Sequence, residues 1–342
     1  MKIAIHKTSG SFSDPWIIYC KNKNIPFKLV NCYASNIIDQ LNDCDALMWH
    51  HSQNNPKDLL IAKQILFSLQ QSGKIVFPDF RTNWHFDDKL GQKYLLEAIK
   101  ATMVKTDNFF DFEEASEWIK QTQYPIVFKL RGGAGSINVK LIKNYTEAKS
   151  IVKKAFGKGF SNFDASANLI ETIRKWKLKK VSNVDLIKGF ARFFIKPKFS
   201  KVLGREYGYV SFQEFIPNNY FDIRVIVIDG KAFAIKRMVR KDDFRASGSG
   251  FIKYAKEEFD VETIRVAHEL AQKLMTQCVA FDFVYKNNIP LVVEISYGFA
   301  KEGYYDCVGY WDENLVFYPG SFDPCEWMVD LVKKNVEKIN GK

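Results

Sequence analysis

Ser211-Phe212-Gln213-Glu214-Phe215-Ile216-Pro217, followed closely by Phe221-Asp222-Ile223-Arg224-Val225, is the stretch whose reading decides the fold of this chain. Its partner comes further along: Ala280-Phe281-Asp282-Phe283-Val284, then Leu291-Val292-Val293-Glu294-Ile295-Ser296. Both blocks read as apolar strands that place isolated charged groups at strand ends. Burying an unpaired charge is costly, so such groups meet a metal, a counter-ion or a ligand. An Asp and a Glu on adjacent strands form an oxygen-rich site suited to Mg²⁺. That ion takes few protein carboxylates and completes its shell with water and phosphate oxygens. The two blocks together predict a site for the phosphates of a nucleotide.

Working outward, Tyr124-Pro125-Ile126-Val127-Phe128-Lys129-Leu130 reads as a strand interrupted by one cation, and Arg131-Gly132-Gly133-Ala134-Gly135-Ser136 as the turn into a strand over Ile137–Ile142. A glycine-rich turn lets backbone N–H groups approach phosphate oxygens without interference from a Cβ, which singles out Gly133 and Gly135 beside Lys129. The turn lacks the G-K-[ST] ending of a Walker A loop and does not read G-x-G-x-x-G. Before it, Asp87-Asp88-Lys89-Leu90 opens a helix expected to run to about Lys100. Asp222 and Arg224 are two residues apart, so on a strand both point to one face, where a guanidinium can clamp a phosphate or carboxylate through two bonds. The next strand, Ala234-Ile235-Lys236-Arg237-Met238, brings more cations, and Asp243-Phe244-Arg245-Ala246-Ser247-Gly248-Ser249-Gly250 is a small-residue loop with one arginine.

These blocks, in this order and at about this spacing, resemble the ATP-grasp superfamily of carboxylate–amine ligases. The likeness is to the branch that holds glutathione synthetase and the ligase that adds glutamate to a ribosomal protein, and it runs from about Phe77 to about Gly298. The resemblance implies ATP and Mg²⁺, two ions of it, as cofactors. It implies that Lys89, Lys129 and Lys236 face phosphates and that the backbone around Glu214, Phe215 and Ile216 hydrogen-bonds adenine, with Asp222 on the ribose. Arg224 and Arg245 would serve the reaction, Arg245 by stabilising charge that develops on the transferring phosphoryl group. Asp282 and Glu294 would hold the metal. The family pattern there is E-x-N, whereas this chain reads Glu294-Ile295-Ser296, so a shorter hydroxyl would take the place of the amide oxygen. Ser247 likewise stands where the family's loop has Asn. The implied fold is α/β: an N-terminal parallel-sheet domain over 1–80, a lid subdomain over 81–210, and an antiparallel-sheet domain over 211–342.

The composition agrees with an ordinary globular chain: 342 residues, 46% hydrophobic and 26% charged, argue against disorder. Residues 1 to about 80 alternate strand patterns (Ile3–His6, Phe27–Asn31, Ala46–Trp49, Ile75–Pro78) with a helix over Lys57–Gln71, the rhythm of a small parallel sheet. Ligands of such sheets bind beyond the carboxyl ends of the strands, where the loops Thr8–Ser13 and His50–Gln53 lie. The His50-His51 pair reads as a substrate contact or a structural loop. No apolar run is long enough to span a bilayer and no signal-peptide pattern opens the chain, so a cytoplasmic protein is expected. Its six cysteines include no C-x-x-C pair and read as reduced thiols.

The net charge of +11 is unevenly placed. Between Glu171 and Glu206 eleven Lys or Arg stand against three acids, interleaved with Trp176, Phe190, Phe193, Phe194 and Phe199. A helix over Ala167–Lys180 is expected there. The segment reads either as a solvated surface or as a platform for a polyanion. The resemblance implies ligation of a carboxylate to an amine through an acyl phosphate. The basic segment points to an anionic acceptor such as a cell-surface polysaccharide precursor. A kinase that stops after phosphorylating a hydroxyl is the alternative within the same machinery. A nucleic-acid-binding protein is the alternative outside it, though it leaves Asp282, Glu294 and the glycine turn unexplained. The sequence leaves room for an oligomer. The aromatic tail ends in a helix over Phe322–Val336, started by Asp323-Pro324.

Overall fold

The computed structural model describes the chain except residues 133–137, 164, 178–180, 196, 240–243, 247, 249 and 342. Four short strands near the N-terminus form a parallel sheet in the order Phe27–Val30, Ile3–His6, Ala46–Met48, Ile75–Phe77. Side chains alternate across a sheet, and here both faces are covered. Ala4, Leu47 and Val76 pack under the helix Pro56–Gln71 through Ala62, Leu66 and Leu69. Ile3, Ile5 and Met48 meet Trp16 from the helix Ser13–Asn22 and Met328, Val329 and Val332 from the last helix, Pro324–Asn340. The C-terminal helix therefore completes the core of the N-terminal sheet. Asn55 and Asp323 cap their helices, accepting from the backbone N–H of Lys57 (3.0 Å) and Cys325 (2.8 Å), each with proline in the first turn.

A second sheet is antiparallel, in the order Thr106–Phe109, Val210–Glu214, Ile126–Lys129, Val139–Ile142. The helices Phe112–Gln121 and Tyr145–Phe156 cover one face, burying Phe128 and Phe212. The Val210–Glu214 strand thus pairs inside this smaller sheet, and a division at 210/211 falls just at its start. The strand expected over Ile137–Ile142 begins at Val139, and residues 133–137, with Gly133 and Gly135, lie outside the described residues.

The third and largest sheet is antiparallel and runs Ile289–Ser296, Cys278–Lys286, Phe221–Ile228, Lys231–Met238, Gly309–Trp311, Phe317–Pro319, with Ile252–Lys253 beside Lys231–Met238. The helix Val261–Leu274 covers one face, packing on Val225, Val227, Val279 and Phe281. On the other face Ile226, Ile228, Phe233, Ile235 and Ala280 join the core under the N-terminal sheet. The helix after Asp88 runs Lys89–Ala98 and packs Leu96 against this third sheet, away from the smaller one. Between the smaller sheet's two halves the chain inserts three helices, Ala165–Lys177, Asn183–Ala191 and Lys198–Leu203. No helix among the described residues is long and apolar enough to cross a membrane, and all six cysteines are buried free thiols.

Candidate functional site

The face of the third sheet that feeds the apolar core turns charged toward one end. Along Phe221–Ile228, Ile226 and Ile228 lie in the core, and the same alternation sets Arg224 and then Asp222 on that face. Pairing does the rest. Asp222 stands opposite Arg237, Arg224 opposite Asp282, and Asp282 opposite Glu294, so four strands deliver five charges to one patch. Arg224 donates from Nε and Nη2 to the two Asp282 oxygens (2.5 and 2.8 Å). Arg237 does the same to Asp222 (2.6 and 2.7 Å) and also reaches Asp282 at 3.0 Å. Lys89, from the first turn of its helix, lies 3.1 Å from Glu294. Lys129 comes from the facing sheet; it is buried, and among the described residues its ammonium has neither a hydrogen bond nor an ion pair.

Four cations here face three carboxylates, and burial sets their protonation. Desolvation opposes ionisation of Asp282, but Arg224 and Arg237 outweigh it and hold its carboxyl well below the usual range. Asp222, also desolvated, feels Asp282 as well as Arg237 and ends above its ordinary value. Desolvation disfavours the Lys89 cation too, yet Glu294 and Asp87 raise it overall. The Lys129 ammonium is pushed down to about 8, by burial first, with Glu294 opposing that and Lys89 adding to it. A desolvated, unsatisfied cation aimed into a cavity is arranged for an anion.

That cavity holds about 640 Å³ and lies between the two antiparallel sheets, with the 50–53 loop at its rim. Lys89, Lys129, Glu214, Phe215, Ile216, Asp222, Arg224, Arg245, Asp282, Glu294 and Ser296 all line it, brought together from segments far apart in the chain. At the hinge, Glu214 donates its N–H to the Lys105 carbonyl (2.8 Å) and its carboxylate accepts from the Lys286 ammonium (2.5 Å), while Phe215 meets Phe244 edge-on at 6.0 Å. The Arg245 guanidinium sits 5.9 Å from the Phe244 ring. Ser247 lies outside the described residues.

Two expectations change. Lys236 does not reach the cavity: it projects from the opposite face, its neighbours in phase being Ala232 and Ala234 beneath the helix Val261–Leu274. There it pairs with Glu258 at 2.8 Å and lies 4.0 Å above the Phe221 ring. Its neighbour Arg237 takes the place in the charged patch, in phase with Phe233 and Ile235. Ser296 lines the cavity, yet its hydroxyl already donates to the Gly298 carbonyl (3.0 Å) and accepts from the Gly298 N–H (3.2 Å). That hydroxyl closes the turn after the strand.

At the other end of the cavity, His50 and His51 are neutral imidazoles, lowered by burial to about 3 and about 4. His50 Nδ1 accepts from the Phe12 N–H (3.0 Å) with the two rings stacked at 3.8 Å, which leaves the proton on Nε2. His51 Nε2 lies 2.7 Å from Asn83 Oδ1. Among the described residues no cluster of three or more His, Cys, Asp or Glu is placed to hold a metal. Both rings line the cavity.

No family model and no curated protein sequence matches the chain. Solved structures do match its fold. A RimK-domain ATP-grasp protein from Sphaerobacter thermophilus superposes over 86% of this chain and 90% of its own, with a TM-score of 0.53 at 16% identity. The ATP complex of D-alanine–D-alanine ligase from Bacillus anthracis covers 100% of this chain and 99% of its own, with a TM-score of 0.57 at 12% identity. The ATP-grasp ligase PsnB, solved with a minimal precursor, Mg and ADP, covers 98% of both chains, with a TM-score of 0.53 at 11% identity. The fold of this chain is the ATP-grasp fold, as the order of its sequence blocks implied.

Proposed function

With the ATP-grasp fold as premise, we propose that the chain is an ATP-dependent ligase that activates a carboxylate as an acyl phosphate and joins it to an amine. The observation that carries this reading is the cavity floor: Asp282 and Glu294 at paired positions, ringed by Lys89, Lys129, Arg224 and Arg237. Its cations are arranged for phosphate. The two carboxylates fit Mg²⁺ taken up together with nucleotide phosphates, because that ion needs few protein ligands. Asp282 and Glu294 would hold it, and when bound it would offset phosphate charge.

Lys129 and Lys89 would hold phosphate oxygens, and the hinge Glu214, Phe215 and Ile216 would border the base. An oxygen of the substrate carboxylate attacks the γ-phosphorus and ADP departs with the bonding pair. The amine then attacks the carbonyl carbon of the acyl phosphate, inorganic phosphate leaves, and the amine loses a proton. Positioning and charge stabilisation suffice for such a transfer. Arg245, on the cavity wall, is the residue assigned to charge that grows in the transition state. Support for an anionic acceptor, a uronic-acid-containing or phosphate-linked glycan precursor among them, comes from the charge of the chain.

Millimolar Mg-ATP is expected to raise the melting temperature, and the chain is then expected to release ADP with a matching carboxylate–amine pair, the amide being identified by mass spectrometry. No thermal shift with Mg-ATP or its non-hydrolysable analogue overturns the nucleotide reading. ADP released with a phosphorylated hydroxyl, and no amide, overturns the ligase in favour of a kinase.

A further inference from the structure

None of the described residues of the basic insertion lines the cavity, whose anion-binding cations come from other segments. The insertion stands to one side of it: Arg174 donates to the Gly248 carbonyl (3.1 Å), in the loop that carries Arg245. Its surplus of charge is accompanied by an apolar surface. Val184, Ile187, Phe190, Phe194 and Ile195 are all exposed, Ile187 at 68%, Phe194 at 92% and Ile195 at 70%. Residues 184, 187, 191 and 194 follow helical spacing along Asn183–Ala191 and the turn after it, so the outer side of this element is an apolar stripe. The inner side is already used: Gly189 packs so closely on the preceding helix that a Cβ there would meet Leu169 at 3.3 Å. Lys188 stands exposed on the same helix, and Lys198 and Lys201 stand exposed on the helix Lys198–Leu203 that follows it. Soluble surfaces rarely leave such a set of large apolar side chains together without something to cover them.

We propose that this outer face is a site for the surface of an anionic phospholipid bilayer. Charge selects among the occupants. A second copy would set the same eightfold positive surplus against itself. Nucleic acid suits the cations, but the stripe is half aliphatic, and Val184, Ile187 and Ile195 offer no ring on which a base can stack. Phe and Ile on one side of a short helix, with exposed lysines on that helix and on the next, match a bilayer interface: the apolar side chains enter the acyl boundary and the lysines meet lipid phosphates. Asp185, the acid within the helix, is tied into its capping box with Ser182, leaving the stripe without an opposing charge.

The test uses the full chain and vesicles of phosphatidylcholine, alone or mixed with phosphatidylglycerol, in co-sedimentation. Binding is expected to the mixed vesicles only and to weaken as salt rises. Ile187→Asp with Phe194→Asp removes two inserted side chains and lowers the bound-to-free ratio by about a hundredfold. Lys188→Glu, Lys198→Glu and Lys201→Glu together lower it by at least about as much. Both variants alter exposed side chains and should melt with the parent chain, and each reports independently of the other. Equal binding to neutral vesicles, binding to neither kind, or parental binding by the double Asp variant overturns the proposal. So does capture of single-stranded RNA, or a dimer, lost in these variants without any vesicle binding. None of these outcomes touches the ATP-site reading, which Mg-ATP tests separately.

Discussion

On the cavity floor Lys89, Lys129 and Arg237 are buried, Arg224 is half-buried, and carboxylates answer three of the four; in the insertion Lys188, Lys198 and Lys201 stand in water. The residue types are alike, but their surroundings are not. In a desolvated site a charge interacts strongly with every neighbour and must be matched or be waiting for a ligand, whereas an exposed charge is screened within about 8 Å at physiological salt. The same cation is therefore a structural element in one region and a replaceable contact in the other.

The largest effect expected from breaking this contrast is at Arg237. Arg237→Ala leaves Asp222 buried without its two-bond partner and strips one of the two arginines from Asp282, and the stability measured by urea unfolding should fall by about 3–5 kcal/mol. Next comes Glu294→Gln, which keeps the shape and removes one metal-site charge; ATP turnover should drop by about 10²–10³ with the fold intact. Near-parental turnover would move the metal site elsewhere.

Lys129 sharpens the comparison, because it is the floor cation without a carboxylate of its own. Its folded pKa, about 8, lies below the 10.5 of the unfolded chain. Between those values the unfolded chain binds more protons, so ligand-free stability should rise with pH from about 8 upward. The Mg-ATP thermal shift should shrink over the same window, as the cation is lost. Lys129→Met should raise ligand-free stability by about 1–3 kcal/mol, flatten that pH dependence and remove most of the Mg-ATP shift. A variant less stable than the parent would show that Lys129 is satisfied without a ligand. The smallest effect belongs to the insertion: replacing Lys188, Lys198 and Lys201 by Ala should change stability by no more than about 0.5 kcal/mol per site in thermal melts.

The block order Lys129, Gln213–Ile216, Asp222, Asp282, Glu294 was enough to foresee the fold, and the strand and helix limits were read to within a few residues. Ile3–His6 matches in full, and the helix expected over Lys57–Gln71 begins one residue earlier because Pro56, which has no N–H to leave unpaired, fills its first turn. The helix expected over Ala167–Lys180 runs Ala165–Lys177, and the last helix continues beyond Val336 to Asn340. At Ala232–Met238 the reading went wrong by one position. Ala232 and Ala234 pack on one face, Phe233 and Ile235 on the other, so the apolar run is buried on both sides and carries no phase. Nothing local then says which of Lys236 and Arg237 faces the cavity. Tyr33, whose hydroxyl donates to Asp58 at 2.6 Å, and Lys301, which reaches the Ser11 carbonyl at 3.1 Å, are comparable: ordinary residues whose partners lie far along the chain.

By itself the sequence determined the residue types at the site and the two carboxylates on neighbouring strands, since strand periodicity is a local property that survives in one dimension, while the architecture followed from the resemblance that the order of the blocks carries. Tertiary structure alone decided the pairing: that Arg237 and not Lys236 enters the patch, that Asp282 is shared by two arginines, that the Ser296 hydroxyl closes a turn, and that the basic helices stand outside the cavity. Those outcomes depend on strand register and on which face each neighbouring layer covers. A shift of one residue in register would exchange every one of these partners while leaving the sequence pattern untouched.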